Sequence, residues 1–349
     1  MEMRPLGRTG CTVSAVGLGV MTFGAQTDET DAFAQLDMAI EAGVNLFDVA
    51  ENYPAPTGPD TQGRSEEILG RWVTSRGVRD RVVIATKVTG PNGLEYIRGQ
   101  DRHLDRRNIV EAVEGSLKRL GTDHIDLYQT HWPERPISTT VRPRFRLFPD
   151  SDKLVPIEET LAALGSLVDA GKVRHLGVAN ESPWGVMEYL RVAEQNHLPR
   201  IASIQNGYSL LSRGFEITLA EVASREDVGL IGYSPLAGGL LTGKYSHGAL
   251  ARRGTRMAEF PNSEQRYGGD RAQSATQSYV DIATTHGLEP AAMALAFVRD
   301  RPFVASVLVA ASRSEQLGRN LKSLDVVLDR DILKAIDAVH DADPNPVWR

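Results

Sequence analysis

The sequence has little cysteine, no long apolar run and no excess of basic charge. Cys11 is its single cysteine, so no disulfide can form within the chain. One thiol among eight dispersed histidines also does not compose a structural zinc site. No apolar stretch approaches the roughly 18 residues that a membrane span requires. Because the first residues lack the apolar core of a signal peptide, we expect a cytoplasmic protein without a membrane partner.

The charge balance is slightly acidic. The chain has 39 basic and 45 acidic side chains and a net charge of -6, which argues against nucleic acid as a partner. With 41% hydrophobic and 24% charged residues, the chain can bury a sizeable core and is not compositionally disordered. The composition does not indicate an oligomeric state.

Short apolar runs rich in β-branched residues alternate with amphipathic stretches of helical length. Eight such units over this length favour a closed (β/α)8 barrel, the TIM barrel, over two open sheets. We therefore expect a single domain over residues 1–349. The predicted strands lie at residues 16–19, 44–49, 82–87, 124–130, 173–179, 201–205, 228–233 and 304–309. The predicted helices include residues 31–42, 64–75, 105–120, 157–170, 183–195, 273–286 and 330–340.

A hairpin is predicted before the first of these strands. Residues 4–8 and 11–15 flank the turn dipeptide Thr9-Gly10. We expect this hairpin to plug one mouth of the barrel.

Three predicted connections are much longer than the usual two to six residues of a βα loop. They cover residues 89–104, 132–156 and 235–270, after predicted strands three, four and seven. All three leave the carboxyl ends of strands, which is the face that carries active sites in such barrels. The pattern predicts a pocket rimmed by these loops, and disorder or surface decoration is the alternative for each of them.

Four ionisable residues lie at or just after the ends of predicted strands two, three and four: Asp48, Tyr53, Lys87 and His131. Lys87 ends an apolar run and would be costly to bury without a charged partner, which Asp48 can supply. An ammonium beside a phenol favours the phenolate, so we expect Lys87 to lower the pKa of Tyr53 from about 10 toward neutrality. Such a phenol can give its proton to a carbonyl oxygen while hydride reaches the carbon, and His131 could orient that oxygen.

Each of these residues also has a structural interpretation. A tyrosine after a strand is often a rim residue, and a lone histidine is more often structural than catalytic. Asp48 and Lys87 could form only a buried ion pair. Their common place at one mouth of the barrel favours the catalytic interpretation.

The sequence resembles the aldo-keto reductase family, and the resemblance covers nearly the whole chain. Residues 45–53, NLFDVAENY, followed by residues 65–70, SEEILG, resemble the family signature. Further segments fall in the family's order: residues 4–10, 17–19, 172–178 and 234–236. Residues 54–63 and residues 131–136, HWPERP, resemble the bacterial Tas-like branch of the family.

The resemblance implies NADPH-dependent reduction of aldehydes or ketones, with Tyr53 as the acid, Asp48 and Lys87 tuning it and His131 binding the carbonyl. It also implies NADPH/NADP+ at the carboxyl-terminal mouth, with Tyr233 stacked on the nicotinamide. The loop from Ser234 would hold the pyrophosphate, and Arg313 could pair with a 2′-phosphate. The implied cofactor contacts are Asn180, Gln205, Tyr233, Ser234, Pro235, Leu236, Gly238, Lys244, Ser312, Arg313, Gln316 and Asn320.

Other nucleotide sites are not favoured by the sequence. Residues 238–244 fit G-x-x-x-x-G-K, but Tyr245 follows where a P-loop has serine or threonine. No G-x-G-x-x-G opens a helix after a strand as in a Rossmann domain. A metal-dependent barrel lyase would need a carboxylate cluster at strand ends, which the sequence lacks, and we expect no metal.

One alternative from another functional class stays open. It is an NADP(H)-binding redox sensor or regulatory protein with weak turnover, like the β subunits of potassium channels that share this fold. The substrate is expected to be a small carbonyl compound near Trp132 and Arg144. Together with Arg135, Arg142 and Arg146, these residues suit an anionic or aromatic compound, and a solvated basic loop is the alternative.

Overall fold

A closed parallel barrel forms the centre of the protein. The computed structural model describes residues 1–91, 94–99, 102–138, 154–245, 255–260 and 266–347. Eight strands pair in chain order and the last strand pairs with the first, which confirms the predicted (β/α)8 barrel. The barrel strands are β3 (Val16–Gly19), β4 (Leu46–Asp48), β5 (Val83–Val88), β6 (Ile125–Thr130), β7 (Val173–Ala179), β8 (Ile201–Gly207), β9 (Gly229–Tyr233) and β10 (Val304–Val309).

Helices surround the barrel. Asp105 accepts a hydrogen bond from the Asn108 amide at the start of one helix, and Gly121 ends that helix with a φ of 63°. Within the described ranges, no helix combines the length and apolar character that a membrane span requires. The helices are α1 (Glu29–Glu41), α2 (Arg64–Arg76), α3 (Arg106–Leu120), α4 (Ile157–Asp169), α5 (Pro183–Gln195), α6 (Gly214–Thr218), α7 (Ala220–Glu226), α8 (Arg256–Glu259), α9 (Asp270–Thr285), α10 (Pro290–Arg299), α11 (Ser314–Leu321) and α12 (Arg330–Ala342).

Side chains alternate between the barrel interior and the surrounding helices, as the pleat of a strand requires. In β5, Val83 and Ala85 belong to the interior apolar cluster, and Ile84 packs with the outer one. Lys87 is two residues beyond Ala85 and therefore also points inward. The same step leads from Leu46 to Asp48 in β4. Each inward row thus changes from apolar to polar toward the carboxyl ends of the strands.

The predicted hairpin is present and closes the amino-terminal mouth. It consists of β1 (Met3–Pro5) and β2 (Thr12–Ser14), which pair antiparallel and are shorter than the sequence indicated. Leu6 and Val13 are fully buried and join the interior apolar cluster of the barrel. Arg4 Nη1 donates hydrogen bonds to the carbonyls of Arg299 and Val304 at 2.6 and 2.9 Å. The plug is therefore fastened to the start of β10.

Long loops leave the opposite mouth after β5, β6 and β9, as predicted. The loop after β9 carries a 3₁₀ helix, Ala237–Thr242, and the short helix α8. Residues 139–153, 246–254 and 261–265 of these loops lie outside the described residues. The remaining loop residues surround the polar end of the barrel interior.

Candidate active site

A buried ion pair occupies the carboxyl-terminal end of the barrel interior. Lys87 Nζ donates hydrogen bonds to Asp48 Oδ1 and to the Val49 carbonyl, both at 2.7 Å. Lys87 is fully buried and Asp48 is 3% exposed. Burial lowers the pKa of Lys87, and the charge of Asp48 opposes this effect. The structure thus brings the two predicted partners into direct contact.

Two buried amides hold the other carboxylate oxygen of Asp48. Gln205 Nε2 donates to Asp48 Oδ2 at 2.7 Å, and Gln129 Nε2 lies 3.5 Å from the same oxygen. Gln205 was predicted only as a cofactor contact, and Gln129 was missed. The alternation from Leu127 to Gln129 in β6 is the signal that could have found it. Asp48 is therefore fixed from β5, β6 and β8 together.

Tyr53 and His131 lie beside this pair. Lys87 Nζ is 5.3 Å from the centre of the Tyr53 ring, over its face. The rings of Tyr53 and His131 meet edge to face, with centroids 5.7 Å apart and an interplanar angle of 81°. The four residues predicted from strand ends therefore form one cluster.

The pKa of Tyr53 differs from the sequence-based expectation. Burial raises it above its usual value, and the nearby charge of Asp48 raises it further. The expectation that Lys87 lowers it toward neutrality is wrong for this arrangement. The physical reason is that desolvation disfavours the phenolate and that Asp48, 2.7 Å from the ammonium of Lys87, compensates its charge. Tyr53 is therefore protonated at neutral pH.

His131 is a neutral imidazole at neutral pH. Burial lowers its pKa well below the usual value, and the positive charge of Lys87 acts in the same direction. Its Nδ1 is buried and has no hydrogen-bond partner in the structure as described. The ring of Trp132 is stacked on His131 with centroids 6.0 Å apart. Trp132 therefore lies beside His131, and its role as a substrate contact stays a prediction.

Asn180 and Tyr233 form a hydrogen-bonded group next to His131. Asn180 Nδ2 donates to the His131 carbonyl at 2.9 Å, and the Tyr233 hydroxyl donates to Asn180 Oδ1 at 2.6 Å. Asn180 has a φ of 56°, a conformation that asparagine tolerates better than most residues. A Cβ at Gly207 would lie 3.2 Å from the Tyr233 ring, so glycine leaves room for this ring. The residues predicted to hold the nicotinamide thus lie at the same mouth as Tyr53.

The loop after β9 is sharply curled. Ser234, Ala237, Gly238 and Gly239 all have positive φ values, between 48 and 93°. A Cβ at Gly238 would lie 3.0 Å from Met257 Cε. Pro235 and Leu236 stand within this turn, and Lys244 after it is exposed. The arrangement is a concave backbone surface followed by a cation.

The predicted adenosine contacts gather at the start of α11. The amide and hydroxyl of Ser312 both donate to Gln316 Oε1 at 3.1 Å. Arg313 is exposed immediately before the helix, and Asn320 is buried further along it. Thr27, in the loop after β3, donates to the Ser312 carbonyl at 3.3 Å. These residues therefore lie at the carboxyl-terminal mouth, at the β10 unit.

The family model for the aldo/keto reductases matches residues 15–341. The chain belongs to the aldo/keto reductase family. It is 49% identical to Protein tas of Escherichia coli (strain K12) over 344 residues, 97% of this chain and 98% of that protein. It is 33% identical to the uncharacterized oxidoreductase YrpG of Bacillus subtilis (strain 168) over 345 residues, 97% of this chain and 96% of that protein. It is also 33% identical over 354 residues to a probable voltage-gated potassium channel subunit beta of Oryza sativa subsp. japonica, which covers 99% of this chain and 98% of that protein.

Membership in this family makes the chain an oxidoreductase. Aldo/keto reductases act on small molecules and typically use a nicotinamide dinucleotide. The loop after β9 also places two arginines near Tyr53 and Tyr233 that the sequence patterns did not single out, Arg256 and Arg266. Burial lowers the pKa of Arg256 in α8, and no carboxylate pairs with it within the described ranges. Arg266 hydrogen-bonds Tyr233 and lies 4.9 Å from the Tyr267 ring centre. Their place at the mouth depends on the folded conformation of the long loop after β9, which has no periodic sequence pattern.

One arginine of the HWPERP segment of this aldo/keto reductase has a structural partner. Arg135 Nη2 donates to Glu181 Oε1 at 2.5 Å and to Ser182 Oγ at 3.0 Å, which joins the loops after β6 and β7. Its guanidinium lies 4.7 Å from the Trp184 ring centre. A Cβ at Gly185 would lie only 2.2 Å from Arg135 Nη2. This pairing removes Arg135 from the hypothesised anion contacts, and Arg142, Arg144 and Arg146 lie outside the described residues.

Proposed function

We propose that the protein is an NADPH-dependent reductase of aldehydes or ketones in which Tyr53 donates the proton. The observation that carries this proposal is the buried contact of Lys87 with Asp48 over the face of the Tyr53 ring, beside a neutral His131. A purely structural ion pair does not require a tyrosine and a histidine at the same mouth.

The side chains have distinct roles in this proposal. His131 donates a hydrogen bond from its imidazole to the carbonyl oxygen and so orients it. Tyr53 remains protonated until that oxygen becomes an alkoxide, which is a stronger base than a phenolate and takes the phenolic proton. The ammonium of Lys87 then stabilises the phenolate that is left. Asp48 and the amide of Gln205 keep Lys87 in place.

The residues at the mouth fit a dinucleotide with phosphate groups. Lys244, Arg256 and Arg313 make no ion pair with a carboxylate in the described part of the chain, so they suit an anionic ligand. When bound, NADPH supplies the hydride. Arg313 would favour it over NADH by pairing with the 2′-phosphate. The other proposed contacts are Asn180, Gln205 and Tyr233 for the nicotinamide, Ser234, Pro235, Leu236 and Gly238 for the pyrophosphate, and Ser312, Gln316 and Asn320 for the adenosine.

The test is turnover of purified protein with a panel of aldehydes and ketones, followed by NADPH absorbance, with NADH in parallel. We expect oxidation of NADPH to exceed that of NADH. Tyr53→Phe should lower kcat by roughly 10² to 10⁴, because it removes the general acid. Its Kd for NADPH should change by less than about threefold. Tyr128→Phe is the matched control, because Tyr128 is buried on the outer face of β6 and its hydroxyl has no hydrogen-bond partner among the described residues.

Retained turnover in Tyr53→Phe would reject the assigned acid. Tight NADPH binding without turnover across the panel would instead favour a redox-sensing or regulatory protein. The relative named as a potassium channel subunit beta, which matches this chain over nearly its full length, is the observation that keeps this second function open. A cytoplasmic location remains part of the proposal.

A further inference from the structure

Glu51 is a buried carboxylate between Asp48 and Tyr53 that the proposed mechanism does not use. It is 1% exposed and lies on the segment that leads from β4 to Tyr53. A buried charge is costly unless hydrogen bonds and an opposite charge compensate it. The hydrogen-bond partners of Glu51 therefore indicate the role of its carboxylate.

The carboxylate binds the backbone at the end of β5 and one arginine. Thr89 N donates to Glu51 Oε1 at 2.5 Å, and Arg98 Nη2 donates to the same oxygen at 2.8 Å. Arg98 Nη1 donates to Glu51 Oε2, and the Arg98 side chain is only 7% exposed. Arg98 Nη2 also donates to the Thr89 carbonyl at 3.0 Å. Glu51 therefore binds the N–H of Thr89 and Arg98 binds its carbonyl.

We call the Glu51–Arg98 pair around the Thr89 backbone the clamp. One peptide group connects the clamp to the cluster of Asp48, Tyr53, Lys87 and His131. The peptide between Val88 and Thr89 gives its N–H to Glu51, and its carbonyl accepts a hydrogen bond from His131 N at 2.9 Å. Glu51 N in turn donates to the Lys87 carbonyl at 3.4 Å. If this peptide rotates, the His131 backbone loses its acceptor and the backbone of Lys87 moves.

We propose that Glu51 is a positioning residue that fixes the peptide between Val88 and Thr89 and so holds Lys87 and His131 against Tyr53. This inference rests on the proposed carbonyl reduction. The essential atom is the acceptor at Glu51 Oε1, and Arg98 compensates the charge that this acceptor carries. A displacement of about 1 Å at a reacting group can cost on the order of 10² in rate, so a small rotation of this peptide is sufficient.

The chain offers a matched control in Asp126 of β6, which also binds the backbone of β5. Asp126 Oδ2 accepts a hydrogen bond from Ile84 N in β5 at 2.9 Å, and Asp126 pairs with Arg79 and Arg174 at 2.8 and 2.7 Å. Its side chain is 4% exposed. It is therefore a buried, arginine-paired carboxylate that binds β5 near the amino-terminal end of the strand.

The experiment compares two double variants with this control. Glu51→Met with Arg98→Met removes both charges and the acceptor, and Glu51→Gln with Arg98→Met restores only the acceptor. We expect the first double variant to lower kcat by about 10 to 100-fold, with a Kd for NADPH within about threefold of the wild type. The second should recover most of kcat, and Asp126→Asn should leave kcat unchanged. Hydrogen exchange at the amides of Thr89 and His131 should accelerate only in the first double variant.

Two results would overturn the positioning role. One is a kcat for Glu51→Met with Arg98→Met within about twofold of the wild type. The other is an equal fall of kcat in Asp126→Asn, which would make the effect one of general stability. If the wild type does not reduce carbonyls, the proposed function fails separately. Hydrogen exchange then decides, because unchanged protection of Thr89 and His131 in the first double variant contradicts the clamp.

Discussion

The two mouths of the barrel are built from the same strands but have opposite character. At the amino-terminal mouth, Leu6 and Val13 of the hairpin pack on Leu46 and Val83 in an apolar cluster. At the carboxyl-terminal mouth, the same inward rows end in Asp48 and Lys87, which are buried and charged. Two residues along β4, from Leu46 to Asp48, and four along β5, from Val83 to Lys87, thus separate the apolar cluster from the ion pair.

We therefore expect the amino-terminal mouth to contribute mainly to stability and the carboxyl-terminal mouth mainly to the reaction. Apolar burial stabilises by roughly 25 cal/mol per Å² removed from water, whereas a buried ion pair often contributes little net stability. Substitutions at the amino-terminal mouth should therefore change unfolding without changing turnover. Substitutions at the carboxyl-terminal mouth should change turnover, with or without a change in stability.

The largest effect is expected at Lys87. Lys87→Met should lower kcat by at least about 10², because the Tyr53 phenolate loses its stabilising charge. It should also lower the free energy of unfolding by about 3 to 5 kcal/mol, because Asp48 remains as an uncompensated buried charge. Urea unfolding and NADPH oxidation measure the two effects separately.

The double variant Lys87→Met with Asp48→Asn sharpens this prediction. It should recover most of the lost stability, since neither charge of the pair remains, and it should stay inactive. Recovery of turnover together with stability would show that the pair is only structural, and the contrast between the mouths would then fail.

An intermediate effect is expected at the plug. Leu6 is fully buried at the amino-terminal mouth, so Leu6→Ala should lower the free energy of unfolding by about 2 to 5 kcal/mol. Its kcat and Kd for NADPH should match the wild type at a temperature where the variant is folded. Arg8→Gln is the control on the same hairpin, because Arg8 forms an exposed pair with Asp227 that should contribute little. A fall of kcat in Leu6→Ala would mean that the two mouths are coupled.

The smallest effect is expected from protonation of His131. Its pKa in the folded protein is lowered, so the unfolded chain binds this proton first as the pH falls below about 6.5. Stability should therefore decrease with falling pH from that point, by at most about 1.4 kcal/mol per pH unit from this group. Urea unfolding at about pH 7.5 and about pH 5.5 should show a smaller loss for His131→Asn than for the wild type. Equal losses would mean that His131 is not held neutral.

Alternation along the strands made most of the fold and the centre of the site predictable. The apolar run before Lys87 identified β5, and the polar residue at its end identified the mouth. Gln129 also ends an inward row, two residues after Leu127 in β6. It was missed because the sequence analysis considered ionisable residues at strand ends, and an amide is not ionisable. The sequence patterns did not single out α10, since it is buried almost all round and shows no apolar stripe.

Other properties depend on the folded surroundings. The direction of the pKa shift of Tyr53 follows from burial and from the distance between Lys87 and Asp48, neither of which a sequence contains. Arg256 reaches the mouth only through the conformation of a long loop, for which the sequence has no periodic signal. Glu51 lies within the motif that identified the family, but its bond to the Thr89 backbone is a tertiary contact.

The ion pair between the loops after β6 and β7 restricts substitution at Arg135, Glu181 and Gly185 together. The Arg135–Glu181 pair runs through the space that any side chain at position 185 would fill. A larger residue there would have to displace the guanidinium, and loss of Arg135 would leave Glu181 buried without its counter-charge. Arginine, glutamate and glycine at these positions are therefore mutually dependent, and a change at one of them requires a compensating change at another.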